Sequence, residues 1–167
     1  MKKVSIIYGS TTDNTKETAE KIAKKLNEFN PQLKDVAKCS ADDFTNAEVL
    51  ILGTSTWGLG ELQDDWYSML SQLKSVDLSD KTIALFGLGD SSSYTDTFVD
   101  GMGELYEFFS EKNCKIIGFV PKSKYSFDNS IAVIDDEFVG LPIDADNESN
   151  LTDERVADWI EKIKQSF

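Results

Sequence analysis

The chain has 167 residues, of which 40% are hydrophobic, and a formal net charge of −13 at pH 7. This length fits a single domain over residues 1–167, and the negative charge argues against nucleic acids and anionic membranes as partners, because both are polyanions. The chain has no histidine and only two isolated cysteines, Cys39 and Cys114, so it lacks the usual ligands of zinc and iron–sulfur sites and the histidine of nucleophilic triads.

Short apolar runs alternate with amphipathic segments along the chain. Apolar runs predict strands at 3–8, 33–38, 49–53, 81–87 and 115–120, and helical spacing predicts helices at 15–27, 64–73, 98–110 and 152–164. This alternation predicts an α/β fold: a five-stranded parallel sheet, doubly wound, in a three-layer sandwich with helices on both faces. No apolar run approaches the roughly 20 residues of a membrane span. The first run ends at Tyr8, too early for a signal peptide, so we expect a cytoplasmic protein.

The regular alternation is interrupted over about 121–150. Short apolar pieces at 125–127, 131–134 and 138–139 indicate β-like structure. We interpret this stretch as an insertion in the fifth strand and not as a second domain. Because sheets of this kind bind ligands beyond the carboxyl ends of their strands, the loops after the first, third and fourth strands are the candidate site.

The first loop is rich in hydrogen-bond donors and leads into a helix. It consists of Gly9, Ser10, Thr11, Thr12, Asp13, Asn14 and Thr15. Free backbone N–H groups at a helix N-terminus favour an anion. In the nucleotide triphosphate loop, Gly-Lys would stand where Asn14 and Thr15 stand here, so this loop suits a single phosphate held by neutral donors. Ordinary helix capping explains the same residues, and the loop alone does not decide between the two.

Two further loops each carry one aromatic residue beyond a predicted strand. The second contains Thr54, Ser55, Thr56, Trp57, Gly58, Leu59 and Gly60, and the third contains Gly87, Leu88, Gly89, Asp90 and Tyr94. Taken singly, Trp57 could stack on a flat ligand or fold back onto the core, and Tyr94 could be a surface aromatic. The third loop does not match a dinucleotide fingerprint, since Ser92 stands at its third glycine. Together, the three loops predict a site for a planar ring with a phosphorylated tail.

Charge is unevenly distributed along the chain. Residues 1–38 carry eight lysines and five acidic residues, a net charge of +3, which leaves −16 for the remainder. Residues 39–73 and 82–111 each contain six acidic residues and no lysine or arginine. A ring bound there meets no sequence-local cation, so its anionic form is disfavoured. The acidic surface either serves solubility or steers a basic partner.

These motifs resemble the flavodoxin family, in its long-chain subgroup, over essentially the whole chain. The resemblance rests on residues 10–15, on Thr56 to Glu61, on Gly87 to Tyr94, and on a tail from Tyr125 to Asp158. One departure is Asp13, which stands where the family has glycine. We expect it to weaken cofactor binding slightly, because aspartate tolerates positive φ only moderately and its charge opposes a phosphate.

The resemblance implies FMN as the cofactor. The first loop would bind the phosphate, residues 54–56 would line the ribityl chain, and Trp57 and Tyr94 would flank the ring. Gly58 would supply the peptide that contacts flavin N5, and Asp90, with the backbone near Gly89, would lie at the pyrimidine edge. The implied cofactor-binding residues are Ser10, Thr11, Thr12, Asp13, Asn14, Thr15, Thr54, Ser55, Thr56, Trp57, Gly58, Gly60, Gly87, Leu88, Gly89, Asp90 and Tyr94.

The resemblance further implies a monomeric low-potential electron carrier without substrate turnover of its own. Two aromatic faces and surrounding acids would favour a stable neutral semiquinone and one-electron transfer. Expected partners are larger redox enzymes with basic docking surfaces, such as ferredoxin/flavodoxin reductases and low-potential oxidoreductases. The alternative is an FMN-dependent quinone or nitro-compound reductase of the same fold, which would need a nicotinamide site; the loops show no basic cluster for one.

Overall fold

The computed structural model describes all 167 residues, and eleven strands and five helices follow one another along the chain. The strands are β1 (Val4–Gly9), β2 (Gln32–Asp35), β3 (Val49–Thr54), β4 (Thr56–Trp57), β5 (Glu61–Leu62), β6 (Thr82–Leu88), β7 (Lys115–Ile117), β8 (Val120–Pro121), β9 (Val133–Ile134), β10 (Glu137–Phe138) and β11 (Leu141–Ile143). The helices are α1 (Asn14–Lys25), α2 (Ala41–Thr45), α3 (Asp64–Leu73), α4 (Asp100–Ser110) and α5 (Thr152–Lys164).

The central sheet is parallel throughout, with the strand order β2-β1-β3-β6-β11. Strand β7 also pairs with β6, beside Thr82–Ala84, while β11 pairs with its later residues, Phe86–Leu88. The two short strands are therefore two halves of one fifth strand. The predicted doubly wound sheet and the insertion in its fifth strand are both confirmed.

The bounds of the fifth strand differ from those predicted. The prediction placed the strand at 115–120 and the insertion at about 121–150. In the structure β7 ends at Ile117, and Gly118, with φ +86°, turns the chain out of the sheet. The strand resumes at Leu141, so the insertion comprises residues 118–140. Residues 144–151 instead connect the sheet to α5, which places them at the carboxyl end of a strand.

Other differences have local causes. The predicted strand 33–38 ends at Asp35, and residues 36–38 form a turn of 3-10 helix. Helix α2 was not predicted, because it has five residues and a single large apolar side chain, Phe44, too few to show a period. The predicted helix 98–110 begins only at Asp100, since Val99 has φ +49°. Within the insertion, residues 125–127 are not a strand, and only two-residue strands occur within 131–134 and 137–139.

Alternate residues of the central strands enter two separate cores. In β3, Leu50 and Leu52 lie in the core beneath α2, α3 and α4, whereas Val49 and Ile51 lie in the core beneath α1 and α5. A strand buried on both faces needs the continuous apolar run from which β3 was predicted. None of the helices combines the length and apolar character needed to cross a membrane.

The insertion packs against the core through aromatic side chains. Phe138 is fully buried, and its ring lies 5.9 Å, centroid to centroid, from that of Phe98. The rings of Phe127 and Tyr125 lie 5.6 Å and 6.0 Å from Phe98. Because Phe98 lies two residues before α4, the insertion is attached to the segment that joins β6 to that helix.

Candidate cofactor site at the carboxyl ends of the strands

A cleft of about 310 Å³ opens where β1, β3, β6 and β11 end. The loops after these strands supply its lining, which brings together residues far apart in sequence. The lining comprises the predicted residues Thr12, Asn14, Thr15, Ser55, Thr56, Trp57, Gly58, Leu88, Gly89, Asp90 and Tyr94, together with Thr97, Ala145 and Asp146. The other predicted residues, which surround the cleft without lining it, are Ser10, Thr11, Asp13, Thr54, Gly60 and Gly87.

The first loop leads into α1, and the backbone N–H groups at the start of that helix have no backbone partner. The earliest backbone hydrogen bond at the start of α1 runs from the Glu17 N–H to the Asp13 carbonyl, so the preceding amides have no partner within the helix. The Thr15 hydroxyl is buried, and it is the one buried side-chain polar group of the protein without a hydrogen-bond partner. Since buried hydroxyls are normally paired, this donor at a helix N-terminus indicates an anion-binding site.

The remaining residues of the first loop support it from outside the cleft. The Ser10 hydroxyl donates to the Thr12 carbonyl. The Thr11 hydroxyl accepts from Gln63 Nε2 at 3.4 Å. Asp13 is exposed and its side chain makes no capping hydrogen bond. Its φ is −73°, so the expectation of an unfavourable positive φ at this position is wrong, and only the charge argument remains.

Replacing the charge of Asp13 is therefore expected to tighten FMN binding. Asp13→Asn and Asp13→Gly should both lower the dissociation constant by about two- to fivefold at low salt, because each removes one carboxylate near the phosphate loop. Fluorescence titration with FMN measures the effect. The gain should shrink in 0.5 M salt, since screening weakens exposed charges. A gain from Asp13→Gly alone would mean that backbone freedom matters after all.

Gln63 links the first two loops and was not predicted. It is buried, with its backbone N–H 3.4 Å from Thr54 Oγ1 and its side chain against Thr11. It also precedes α3, where its Oε1 accepts the Asp65 N–H at 3.0 Å. Gln63 thus ties the first loop to the end of β3. Its role depends on two loops meeting in space, which no local pattern reveals.

The second loop is a hairpin with a turn of glycines. Strands β4 and β5 pair, and the Gly60 N–H donates to the Trp57 carbonyl at 3.1 Å. Gly58 has φ +52° and Gly60 has φ +100°, values that side-chain-bearing residues rarely adopt. We call residues 57–60 the glycine turn. Trp57 lies at its start, 38% exposed, with its Nε1 donating to Ser55 Oγ at 2.7 Å, so the indole is held at the rim of the cleft.

The third loop is closed by an aspartate. Asp90 Oδ1 accepts the backbone N–H groups of Ser92 and Ser93, at 3.1 and 2.9 Å. The hydrogen bond from the Ser93 N–H, followed by those from Asn147 Nδ2 and the Ser92 N–H, lowers the pKa of Asp90 and keeps its carboxylate charged. The Tyr94 N–H donates to the Asp90 carbonyl at 3.0 Å. Tyr94, 51% exposed, lines the cleft.

The loop after β11 supplies lining residues that were missed. Asp144 is fully buried and accepts the N–H groups of Ser91 and Asn147, at 3.2 and 3.0 Å, which fastens this loop to the third loop. Ala145 and Asp146 then line the cleft. They were missed because the fifth strand was taken to end at 120 instead of Ile143. The short apolar run 141–143, followed by polar residues, was the signal that could have revealed them.

Comparison with known proteins identifies the family. Residues 6–159 match the family model of flavodoxins. A flavodoxin of Helicobacter pylori is 42% identical over 167 residues, which cover 100% of this chain and 99% of that protein. The chain belongs to the flavodoxin family. A flavodoxin of Synechocystis is 41% identical over 98% of this chain and 97% of its own. The crystal structure of Fusobacterium nucleatum flavodoxin bound to flavin mononucleotide has a TM-score of 0.95 at 30% identity, covering 100% of this chain and 99% of that one.

The cleft of this flavodoxin is acidic. Its lining contains no lysine or arginine, and its charged residues are Asp90 and Asp146. Burial raises the pKa of Asp146, and the negative charges of Asp90 and Asp144 raise it further. The same surroundings that make it harder to ionise Asp146 would oppose any additional negative charge in the cleft.

The residues present fit FMN. The unpaired Thr15 hydroxyl and the free amides of α1 suit its phosphate. The aromatic side chains of Trp57 and Tyr94 suit a flat ring, and Ser55 and Thr56 also line the cleft. The interrupted fifth strand and the length of 167 residues agree with the long-chain type of flavodoxin.

Proposed function

We propose that the chain carries electrons one at a time between larger redox enzymes, with FMN held in the cleft between Trp57 and Tyr94. Its family membership makes it an FMN-binding electron-transfer protein without substrate turnover of its own. The observation that carries the proposed binding mode is the buried, unpaired hydroxyl of Thr15 at the start of α1. FMN supplies the redox chemistry, and the protein supplies binding, orientation and electrostatics.

The phosphate is held by neutral donors. Thr15 Oγ1 donates to it from a buried position, and the hydroxyl of Thr12 and the amide of Asn14 line the same part of the cleft. The positive end of the α1 dipole compensates the phosphate charge. Because the Ser10 hydroxyl donates to the Thr12 carbonyl, its contribution is to shape the loop. The Thr11 hydroxyl accepts from Gln63 Nε2 and keeps its own proton free to donate.

The proposed position of the FMN ring disfavours additional negative charge. The indole of Trp57 and the phenol of Tyr94 flank it, and Asp90 and Asp146 are the charged groups of the lining. Adding an electron to the ring without a proton is therefore opposed by neighbouring carboxylates and by two apolar faces. Because this opposition would act mainly on the second of the two one-electron reductions of FMN, the two reduction potentials would differ and the second would be low.

The exposed side of the site is the docking surface. Leu59, in the glycine turn, is 87% exposed, and the cleft residues Trp57 and Tyr94 are partly exposed. Exposed carboxylates border it at Glu61 and Asp64. An apolar centre with an acidic rim suits a basic surface on a larger redox enzyme, such as a ferredoxin/flavodoxin reductase. Action as a monomer in the cytoplasm belongs to the same proposal.

Stepwise reduction of the purified FMN-loaded protein tests the proposal. Two separable one-electron waves in a spectroscopic redox titration are expected, with the second at clearly lower potential. A single two-electron wave would favour the alternative, a quinone or nitro-compound reductase. Steady oxidation of NADPH by the protein alone, with a quinone as acceptor, would do the same. Failure to take up FMN would overturn the proposed site.

Association with a basic partner is expected to depend strongly on salt. Raising ionic strength from 0.01 to 0.15 M shortens the Debye length from about 30 to about 8 Å, so the association rate with a reductase should fall at least tenfold. Stopped-flow reduction measures it. Glu61→Gln should slow association about two- to threefold at low salt, whereas Asp80→Asn, beyond the amino end of β6, should not. A rate independent of salt would contradict the docking surface.

A further inference from the structure

We propose that Asp100 is a positioning residue that fixes the glycine turn, and that the insertion in turn fixes Asp100. The inference rests on the proposed position of FMN against that turn. It assigns a role to a residue outside the cleft, at the first position of α4. The insertion and the glycine turn contact the Asp100 carboxylate from opposite sides.

The Asp100 carboxylate lies between the insertion and the glycine turn. Its side chain is buried, with 6% of the residue exposed. Oδ1 accepts the Ile131 N–H at 2.9 Å. Oδ2 faces Gly60 so closely that a Cβ on Gly60 would lie 2.7 Å from it. A single carboxylate therefore separates the backbone of the insertion from the backbone of the turn.

This carboxylate is buried without a cation. Burial raises the pKa of Asp100, and the hydrogen bond from the Ile131 N–H opposes that rise; no lysine or arginine contributes. A buried charge without a cation is costly for folding. The Ile131 N–H and the positive end of α4 offset part of this cost through Oδ1, whereas Oδ2 is left facing the glycine turn.

The first turn of α4 touches the same two segments on either side. The Gly101 N–H donates to Thr56 Oγ1 at 3.1 Å, next to the glycine turn. A Cβ on Gly103 would lie 2.7 Å from Ile131 Cγ1, so the insertion packs directly on the helix there. The start of α4 therefore packs between the β4–β5 hairpin and the insertion, and Asp100 is its first residue.

The backbone before Asp100 is held in a strained conformation. Val99 has φ +49°, in the left-handed region that β-branched residues avoid. Such strain persists only where neighbouring contacts impose it. Here the insertion imposes it, since the Phe98 N–H donates to the Asn129 carbonyl at 3.3 Å and Ser130 Oγ donates to the Phe98 carbonyl at 2.5 Å. Loosening these contacts would let Val99 relax and withdraw Asp100 from Gly60.

The glycine turn needs such support because its own residues restrict it little. Gly58 and Gly60 have access to many backbone conformations, and one hydrogen bond, from the Gly60 N–H to the Trp57 carbonyl, closes the turn. Contact with Asp100 removes alternatives before the cofactor binds. Pre-organisation of this kind raises affinity by reducing the ordering required on binding.

A double-mutant cycle on the full-length chain tests the proposal. Asp100→Ala removes both contacts, and Ile131→Pro removes the backbone donor together with the isoleucine side chain. Ile131→Ala, which removes the side chain but keeps the N–H, is the matched control. We expect Asp100→Ala and Ile131→Pro each to raise the FMN dissociation constant about tenfold, and the control to stay within twofold. The double variant should be no weaker than Asp100→Ala, because both act through one carboxylate.

Amide hydrogen exchange of the FMN-loaded protein gives a second readout. Exchange at Gly60 and Leu62 should accelerate in both variants while amides of β3 keep their protection. The proposal is overturned if Asp100→Ala binds FMN within twofold of the native chain, or if the two effects multiply in the double variant. Should Ile131→Pro not fold, Asp100→Ala decides alone. Failure of the native chain to bind FMN would instead reject the proposed function.

Discussion

Thr15→Val is expected to weaken FMN binding by about 10- to 150-fold and to make the apoprotein more stable. The first effect is the loss of a hydrogen bond to a charged phosphate, worth about 1.5–3 kcal/mol. The second arises because the Thr15 hydroxyl is buried without a partner in the protein itself, and replacing it by a methyl group removes a desolvation penalty of about 1–3 kcal/mol. Fluorescence titration measures the affinity, and urea denaturation of the apoprotein measures the free energy of unfolding.

Thr18→Val is the matched control for this prediction. Thr18 is buried one turn further along α1, and its hydroxyl donates to the Asn14 carbonyl at 3.0 Å, so it is already paired. Its replacement should leave FMN affinity within about threefold and should not stabilise the apoprotein. If Thr15→Val and Thr18→Val changed affinity and stability alike, the Thr15 hydroxyl would not be the phosphate donor.

Trp57→Ala is expected to weaken FMN binding by about 10- to 100-fold. Stacking of an aromatic side chain on a heterocyclic ring is worth roughly 1–3 kcal/mol by alanine substitution. Loss of the indole also opens one face of the ring to water, which should make the second one-electron potential less negative, because water stabilises the charged form. Affinity is measured by titration and the potentials by spectroscopic redox titration.

Two conservative variants separate stacking from other causes. Trp57→Phe keeps an aromatic face but loses the hydrogen bond from Nε1 to Ser55 Oγ, so it should retain most of the affinity. Tyr94→Phe keeps its ring and should change affinity less than Tyr94→Ala. If Trp57→Phe were as weak as Trp57→Ala, the hydrogen bond to Ser55 would matter more than the stacking.

Sequence analysis found the parts of the site that consist of residues adjacent in sequence. The loop before α1 combines donors with a helix start, and Trp57 and Tyr94 follow strands recognisable by their apolar runs. Such signals are local, because periodicity and helix termini involve neighbouring residues. The predicted positive φ at Asp13 was wrong, since family resemblance at one position does not specify its backbone conformation.

By itself the sequence determined the order along the chain of the five strands of the central sheet and of helices α1, α3, α4 and α5, the parallel sheet with helices on both faces, and the three loops at its carboxyl edge. The tertiary structure alone decided where the fifth strand breaks and resumes, that Asp146 lines the cleft, that Gln63 joins two loops and that Asp100 lies between the insertion and the glycine turn. The physical reason is the range of the interactions. Hydrophobic periodicity acts within one element, whereas these contacts join residues tens of positions apart, and they form only when strand register and side-chain packing bring them within hydrogen-bond distance.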